Sequence, residues 1–214
     1  MLYYTEIFAS IQGEARNVGV PTTFVRLFGC PVGCTYCDTI QDPKERRKIS
    51  IENVVTKVQR IKGIKNVCIT GGEPLIYEED LLPLVWELLY LDYDVEIETS
   101  GCIPIPYEDT PARKRFRYIM DIKCPSSGVP DKNVYENLLH LSFNDDVVFV
   151  IKDKTDYDFM KKVLKKYPTN ARIYLSPMFK DDKPLIGDKL VKWMIEDRLD
   201  ARISVQIHKF LEVK

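Results

Sequence analysis

Histidine is scarce in this chain: His140 and His208 are the only two in 214 residues. A metal site that needs imidazole must draw on one of these two distant positions. Long hydrophobic runs are also missing. The most apolar segment, around residues 81–91, carries Pro83 and Glu87 and falls well short of the ~20 apolar residues that span a bilayer. The start, Met1-Leu2-Tyr3-Tyr4-Thr5-Glu6, has neither the basic residues nor the apolar stretch of a secretory signal. Neither sign of charge is in excess: 31 Lys and Arg stand against 32 Asp and Glu, so no large nucleic-acid footprint is indicated. Low-complexity tracts and long linkers are absent too. With 45% hydrophobic and 29% charged residues, the composition is that of a soluble globular protein, and the length suits one domain over residues 1–214. A cytoplasmic, reducing location is expected, without membrane or nucleic-acid partners.

What recurs is a short apolar run followed by an amphipathic stretch. Runs rich in Val and Ile at 23–28, 66–70, 94–98, 118–122, 147–151, 172–175 and 203–207 read as strands buried on both faces. Ser50 caps a helix whose Ile51, Val54, Val55, Val58 and Ile61 share one face, ended by Gly63. Leu81, Leu84, Val85, Leu88 and Leu89 form a second stripe, and Tyr157, Met160, Val163, Leu164 and Tyr167 a third. Leu190, Val191, Met194 and Ile195 form a fourth, and all four are expected to face the core. The alternation predicts an α/β fold with a mainly parallel sheet, open or closing partly into an incomplete (β/α) barrel. In either form ligands gather at the carboxyl ends of the strands. The unusual residues fall there: the Gly29-to-Cys37 run, Gly71-Gly72-Glu73-Pro74, Thr99-Ser100-Gly101, Lys123-Cys124-Pro125-Ser126, Lys152, Ser176-Pro177-Met178 and finally His208.

Three of the six cysteines crowd into Gly29-Cys30-Pro31-Val32-Gly33-Cys34-Thr35-Tyr36-Cys37-Asp38. Their thiols can converge on one loop, and no fourth cysteine lies nearby. A [4Fe–4S] cluster normally takes four thiolates, one per iron. Held by Cys30, Cys34 and Cys37 alone, it keeps one iron open, which suits binding and reductive cleavage of S-adenosylmethionine. A structural zinc site wants four ligands, commonly in paired Cys-x-x-Cys arms, and the second arm is missing unless His140 or His208 supplies a ligand from afar. A disulfide strands one thiol of the three and needs an oxidising compartment. Cys68, Cys102 and Cys124 read as core or pocket-lining thiols.

The paired glycines of Gly71-Gly72-Glu73-Pro74 let backbone approach a ligand closely, and a carboxylate beside them can take an ammonium such as that of S-adenosylmethionine. Together with the cysteine loop, this motif resembles the radical S-adenosylmethionine superfamily. The resemblance narrows through Phe8-Ala9-Ser10-Ile11-Gln12-Gly13-Glu14, Phe24-Val25-Arg26-Leu27, Cys37-Asp38-Thr39, Ile69-Thr70-Gly71-Gly72-Glu73-Pro74, Glu98-Thr99-Ser100-Gly101 and Gln206-Ile207-His208-Lys209. In this order, from residue 6 to 209, they resemble the 7-carboxy-7-deazaguanine synthase family. Two departures stand out: Ala15 where glycine is usual, and Asp121-Ile122-Lys123 where Ser-Pro-Lys is frequent.

The resemblance implies an abbreviated, distorted (β/α) barrel that converts 6-carboxy-5,6,7,8-tetrahydropterin to 7-carboxy-7-deazaguanine with loss of ammonia, a lyase step toward queuosine or archaeosine. It implies a [4Fe–4S] cluster, S-adenosylmethionine regenerated in each cycle, and Mg²⁺ held by Thr39. Gln12, Gly13, Glu14, Arg26, Thr70 and His208 are then expected at the pterin. Gln12 donates and accepts, Glu14 accepts, and Arg26 offers a planar fork to the carboxylate. Tyr36, Cys37, Asp38, Gly72, Glu73, Thr99, Ser100, Lys123 and Ser176 are expected at S-adenosylmethionine. A flavodoxin- or ferredoxin-type electron donor and a homodimer also follow from the resemblance. Two other readings stay open: a small radical activase, and a zinc-stabilised binding module without catalysis.

Overall fold

The structure is a computed structural model that describes residues 1–214 apart from 38, 40, 107–113 and 181–182. Strand β1 (Leu2–Ile11) runs antiparallel to β2 (Pro21–Leu27) and to β3 (Arg47–Ile49). From β2 the sheet continues in parallel through β4 (Asn66–Gly71), β5 (Asp94–Thr99), β6 (Phe116–Ile122), β7 (Asp146–Ile151) and β8 (Arg172–Pro177). A small hairpin, β9 (Phe179–Lys180) and β10 (Lys183–Pro184), precedes the edge strand β11 (Arg202–Ile203). The spatial order is β3-β1-β2-β4-β5-β6-β7-β8-β11. Because β3 and β11 do not pair with each other, the sheet is an open, incomplete barrel. Helices α1 (Ile51–Arg60), α2 (Glu78–Tyr90), α3 (Asn137–His140), α4 (Lys154–Lys166) and α5 (Gly187–Glu196) lie between strands, and the short α6 (Ile207–Phe210) follows β11. Among the described residues no helix is long and apolar enough to cross a membrane.

Strand alternation sorts the side chains into two faces. Val25, Leu27, Val67, Ile69, Val95, Ile97, Met120, Val147, Phe149 and Leu175 join the buried cluster on the helical side. Val54, Val55 and Val58 of α1, all five leucine and valine positions of the α2 stripe, and Tyr157, Met160 and Val163 of α4 pack there as their spacing predicts. Ser50 caps α1 by accepting the Asn53 N–H at 3.4 Å. The opposite, concave face is largely polar: Arg26, Asn66, Thr70, Glu96, Glu98, Arg117, Asp121, Asp146 and Ser176 alternate with the apolar residues. The strands are buried on both faces, as expected, but the concave face is the more polar of the two, with Ile119, Val148 and Tyr174 as its apolar patch.

The segment after β1 covers the concave face and satisfies its buried carboxylates. Glu96, 1% exposed, accepts from Gln12 Nε2 at 3.0 Å, Asn17 Nδ2 at 2.6 Å and Asn66 Nδ2 at 3.3 Å. Asp146 accepts from the Arg16 side chain at 3.0 Å and its backbone N–H at 3.3 Å. Burial still raises the pKa of both carboxyls, even though Gln12 and Asn66 at Glu96, Arg16 at Asp146 and the Arg117 charge beside both pull the other way. Between these polar anchors Ala15 packs with Ile119, Val148 and Tyr174.

Three expectations are corrected. Of the run at 203–207 only Ile203 joins the sheet, in the two-residue strand Arg202–Ile203. Ser204 N–H still bonds Leu175 O, but Ile207 N–H turns to Gly13 O and the chain enters α6, so His208 sits on a helical turn rather than at a strand end. In α5, Leu190 is buried, but Val191 and Ile195 are 42% and 71% exposed, because the two-residue edge strand is too short to cover the whole stripe. Strands β1 and β3, not anticipated, extend the sheet in the antiparallel sense.

Ala15 adopts φ +55°, where glycine is at ease and an L side chain is not. Left-handed backbone costs about 1–2 kcal/mol, against about 0.8 kcal/mol from burying its methyl. Ala15→Gly should therefore leave stability unchanged or raise it by about 1 kcal/mol. Ala15→Val should cost roughly 2–4 kcal/mol, from strain and overpacking combined. Urea midpoints of the two variants check the contrast.

Candidate active site

The cysteine loop is fastened to the Gly71–Glu73 turn by backbone contact. Gly72 N–H donates to Leu27 O at 3.3 Å and Glu73 N–H to Gly29 O at 2.9 Å. Neither glycine has room for a side chain: a Cβ on Gly71 would lie 2.1 Å from Leu27 O, and one on Gly72 2.1 Å from Gly29 O. Gly71 also holds φ +137°. Gln41 brackets the same stretch, with Oε1 accepting from Gly29 N–H at 2.6 Å and Nε2 donating to Leu27 O at 2.7 Å. Lys132 Nζ donates to Pro31 O and Val32 O at 3.0 and 2.6 Å, and Thr35 N–H to Ser127 O at 2.9 Å. Gln41 and Lys132 carry no motif signal, because what matters about them is a backbone they reach across space.

So seated, Cys30, Cys34 and Cys37 line a cavity of about 290 Å³ with Tyr36, Gly71, Gly72, Ser100, Asp121, Lys123 and Ser176. Burial raises the Cys34 thiol pKa, with Lys123 pulling it down. Lys123 Nζ pairs with Asp121 Oδ2 at 2.5 Å; burial opposes its charge, but the Asp121 carboxylate wins and keeps its pKa above the ordinary lysine value. Among the described residues, no group of three or more His, Cys, Asp or Glu is drawn together closely enough for a single metal ion. A cubane asks for less convergence than a single ion does, since each of its thiolates stands at a separate corner. Two buried polar atoms on this wall, Tyr36 OH and Asp121 Oδ1, have no partner among the described residues. A polar ligand in the cavity would satisfy them. The residues present therefore fit a three-thiolate cluster and an adjoining polar cofactor.

Glu73 does not reach that cavity. It is fully buried, and its carboxylate accepts from Leu75 N–H at 3.0 Å, Thr99 OH at 2.8 Å, Ser100 N–H at 2.7 Å and Ser100 OH. With four donors its acceptor sites are filled in this structure, and the carboxylate clamps two strand ends together. Thr99 is likewise buried in that clamp, whereas Ser100 lines the cavity. Asp38 lies outside the described residues. Cys68 and Cys124 are buried and Cys102 half-buried.

A neighbouring cavity of about 320 Å³ gathers Gln12, Gly13, Glu14, Arg26, Thr70 and His208 with Glu98, Phe8, Phe24 and Thr39. Thr39 also lines the cysteine cavity. Cross-strand pairing of Phe8 with Phe24 and Glu6 with Arg26 fixes this wall; the two rings stack at 5.3 Å. Arg26 Nε donates to Glu6 Oε1 at 3.0 Å, leaving its Nη groups without a partner among the described residues. Gln12 is 2% exposed, and its Nε2 bridges Glu96 and Glu98 while its Oε1 accepts the Glu14 N–H. In this structure the amide is a strut between Glu96, Glu98 and the Glu14 backbone, at the edge of the cavity that Gln12 lines. Glu98, which sequence reasoning left without a role, presents a carboxylate there. Glu14 Oε1 accepts from Gln206 Nε2. His208 lies over Gly13, where an added Cβ would be 1.8 Å from its Nδ1.

An open parallel barrel with a three-cysteine loop at its strand ends is the architecture of a radical enzyme that uses S-adenosylmethionine, and residues 24–117 match the Radical SAM superfamily. Whole-chain comparison narrows this class. The chain is 36% identical to a 7-carboxy-7-deazaguanine synthase of Koribacter versatilis over 97% of its own length and 95% of the relative's. It is 37% identical to one from Methanospirillum hungatei over 96% and 83%. The crystal structure of QueE from Escherichia coli superposes with a TM-score of 0.77 at 25% identity, covering 96% of this chain and 93% of that one. The chain belongs to the 7-carboxy-7-deazaguanine synthase family.

Two outcomes follow from the geometry. Gly72→Ala should load markedly less iron per chain on anaerobic reconstitution, because its Cβ meets the fixed backbone of the cysteine loop rather than a flexible side chain; iron and sulfide analysis checks this. Glu6 has its pKa lowered below 4.5: burial works to raise it, but hydrogen bonds from Lys214 and Arg26 outweigh burial. Its stabilising effect is therefore present above 4.5 and lost as pH falls through the folded value. Arg26 and Glu6 are 24% and 31% exposed, so Glu6→Gln should cost no more than about 1 kcal/mol at pH 7. The difference from the parent should shrink on acidification, as melting curves between neutral and acid pH would show.

Proposed function

We propose that this enzyme converts 6-carboxy-5,6,7,8-tetrahydropterin to 7-carboxy-7-deazaguanine and ammonia. The observation that carries the reading is the division of the second cavity into an acceptor pole and a donor pole. Glu98 and Glu14 form the first and Arg26 the second, with aromatic rings Phe8 and Phe24 along the wall. A pterin presents N–H and NH₂ donors at its pyrimidinone edge and a carboxylate at the other end. Carboxylates accept from the first, and the Nη fork of Arg26 meets the second.

Cys30, Cys34 and Cys37 would hold the cluster; Tyr36, Gly72, Ser100, Lys123 and Ser176 would flank S-adenosylmethionine. When bound, the cluster and S-adenosylmethionine supply the one-electron chemistry that generates a carbon radical able to take hydrogen from a substrate C–H bond. The conversion loses one ammonia and no net electrons, so it fits a cofactor used catalytically. The protein's own part is positional. Glu6 fixes Arg26, Gln12 fixes Glu98, Thr70 and Gly13 shape the floor, and His208 closes over Gly13. Thr39, on the wall common to both cavities, would give Mg²⁺ one hard oxygen, with waters and substrate supplying the rest. A flavodoxin- or ferredoxin-type donor, which the exposed Cys30 and Cys37 leave room to approach, a homodimer and a cytoplasmic setting complete the proposal; the homodimer rests on the family resemblance alone.

Anaerobic incubation with S-adenosylmethionine, dithionite and the carboxytetrahydropterin should yield one ammonia per deazapurine formed; no deazapurine would refute the reading. Alanine at Cys30, Cys34 or Cys37 should abolish turnover, while Cys68→Ala should not. Arg26→Lys should weaken apparent substrate affinity roughly ten- to hundred-fold, the loss of about 1.5–3 kcal/mol of charged hydrogen bonding. Thr39→Ala should flatten the Mg²⁺ dependence of turnover at unchanged iron content.

A further inference from the structure

We propose that a cationic vestibule beside the substrate cavity captures the anionic pterin and passes it to Arg26, an inference that rests on the reading above. This vestibule, about 570 Å³, lies against β1, β3 and α1 and is more spacious than either cavity of the active site. Arg26, Arg47, Lys57 and Lys214 line it, against Glu6 and Glu45. Glu6 is already engaged by both Arg26 and Lys214. Arg47 and Lys57 are exposed and form no ion pair among the described residues.

An unpaired surface lysine is ordinarily just a solvated charge. Here two unpaired cations face a concavity whose inner wall is the guanidinium proposed to hold the substrate carboxylate. Arg26 and Thr39 line both the vestibule and the substrate cavity, so the two are contiguous. Clefts of one charge sign with low-dielectric walls focus their field and raise the encounter rate of oppositely charged ligands. Screening confines the effect to about 8 Å at physiological salt, which suits capture at the mouth rather than attraction from afar. Arg47 and Lys57 therefore act on arrival, while the grip on bound substrate belongs to Arg26 and Glu98.

The test uses the reconstituted enzyme with S-adenosylmethionine and Mg²⁺, and the fluorescent oxidised analogue 6-carboxypterin in stopped flow. Arg47→Glu/Lys57→Glu should bind it about five-fold more slowly or worse at low salt, with unchanged dissociation. The gap should close at about 0.5 M salt, where the screening length is a few ångströms. Arg47→Gln/Lys57→Gln should fall between, and matching melting curves would show that both variants fold. 6-Methylpterin, which lacks the carboxylate, should bind parent and variants at equal rates. Equal association of 6-carboxypterin with parent and charge-reversed protein at low salt would overturn the vestibule, as would an equal slowing of 6-methylpterin. A parent that binds neither pterin would instead refute the functional reading, and the vestibule with it.

Discussion

A carboxylate enclosed by a sheet and its covering loop must find donors or stay protonated, and Glu96 and Asp146 impose that condition on the concave face. The segment from Gln12 to Asn17 meets it with two amides, a guanidinium and a backbone N–H. Meeting it pins the segment across β4 to β8 and places Gln12, Gly13 and Glu14 along the second cavity. Gln12 is the pivot: a single NH₂ group is divided between Glu96 below and Glu98 above. Truncating such a network partway leaves a buried charge without a partner, which costs more than the network gains when complete. The segment is therefore an all-or-nothing construction, and a rigid one.

The cofactor side is governed by contact distance rather than by charge. Gly71 and Gly72 bring two backbone segments closer than any side chain allows, and Glu73 locks the turn from beneath through Thr99 and Ser100. A loop with three thiols has little apolar surface of its own to bury, so it depends on these borrowed fastenings, together with Gln41, Lys132 and Ser127. Placing the paired glycines against the cysteines explains why the two motifs occur together in one chain: each forms a wall for the other.

The parallel core was legible because β-branched runs and helical stripes are local signals. Five of the seven expected runs lie within observed strands and a sixth, 23–28, overruns β2 by one residue, while α1, α2 and α4 bury the faces their periodicity marks. The loop thiols and the six residues expected at the pterin also come together in space, grouped in two adjoining cavities. What the chain did not disclose is how several of these side chains are used. Glu73 and Gln12 stand in the right motifs, yet their polar atoms are consumed by partners 26 and 84 residues away. No local pattern reveals that competition. Strand β1 escaped notice because Leu2 to Ile11 mixes polar and aromatic residues without a Val-rich run, and α5 lost half its expected cover because β11 is so short.

The distances along the chain that these contacts bridge have a consequence for biosynthesis. Ala15 N–H bonds Ser204 Oγ, Glu14 meets Gln206, and Glu6 meets Lys214, across 189, 192 and 208 residues. A nascent chain still threaded in the ribosome holds its three thiols near the front, yet lacks the last strand and the tail that seat the N-terminal plug. Cys30, Cys34 and Cys37 are then exposed on an unfinished scaffold, without the floor that shields one side of their cavity. Long-range closures of this kind are slow to form. The loop's own fastenings, at Gln41, Gly71 to Glu73 and Lys132, emerge well before that tail, so the cysteine wall can be seated before the floor closes beside it.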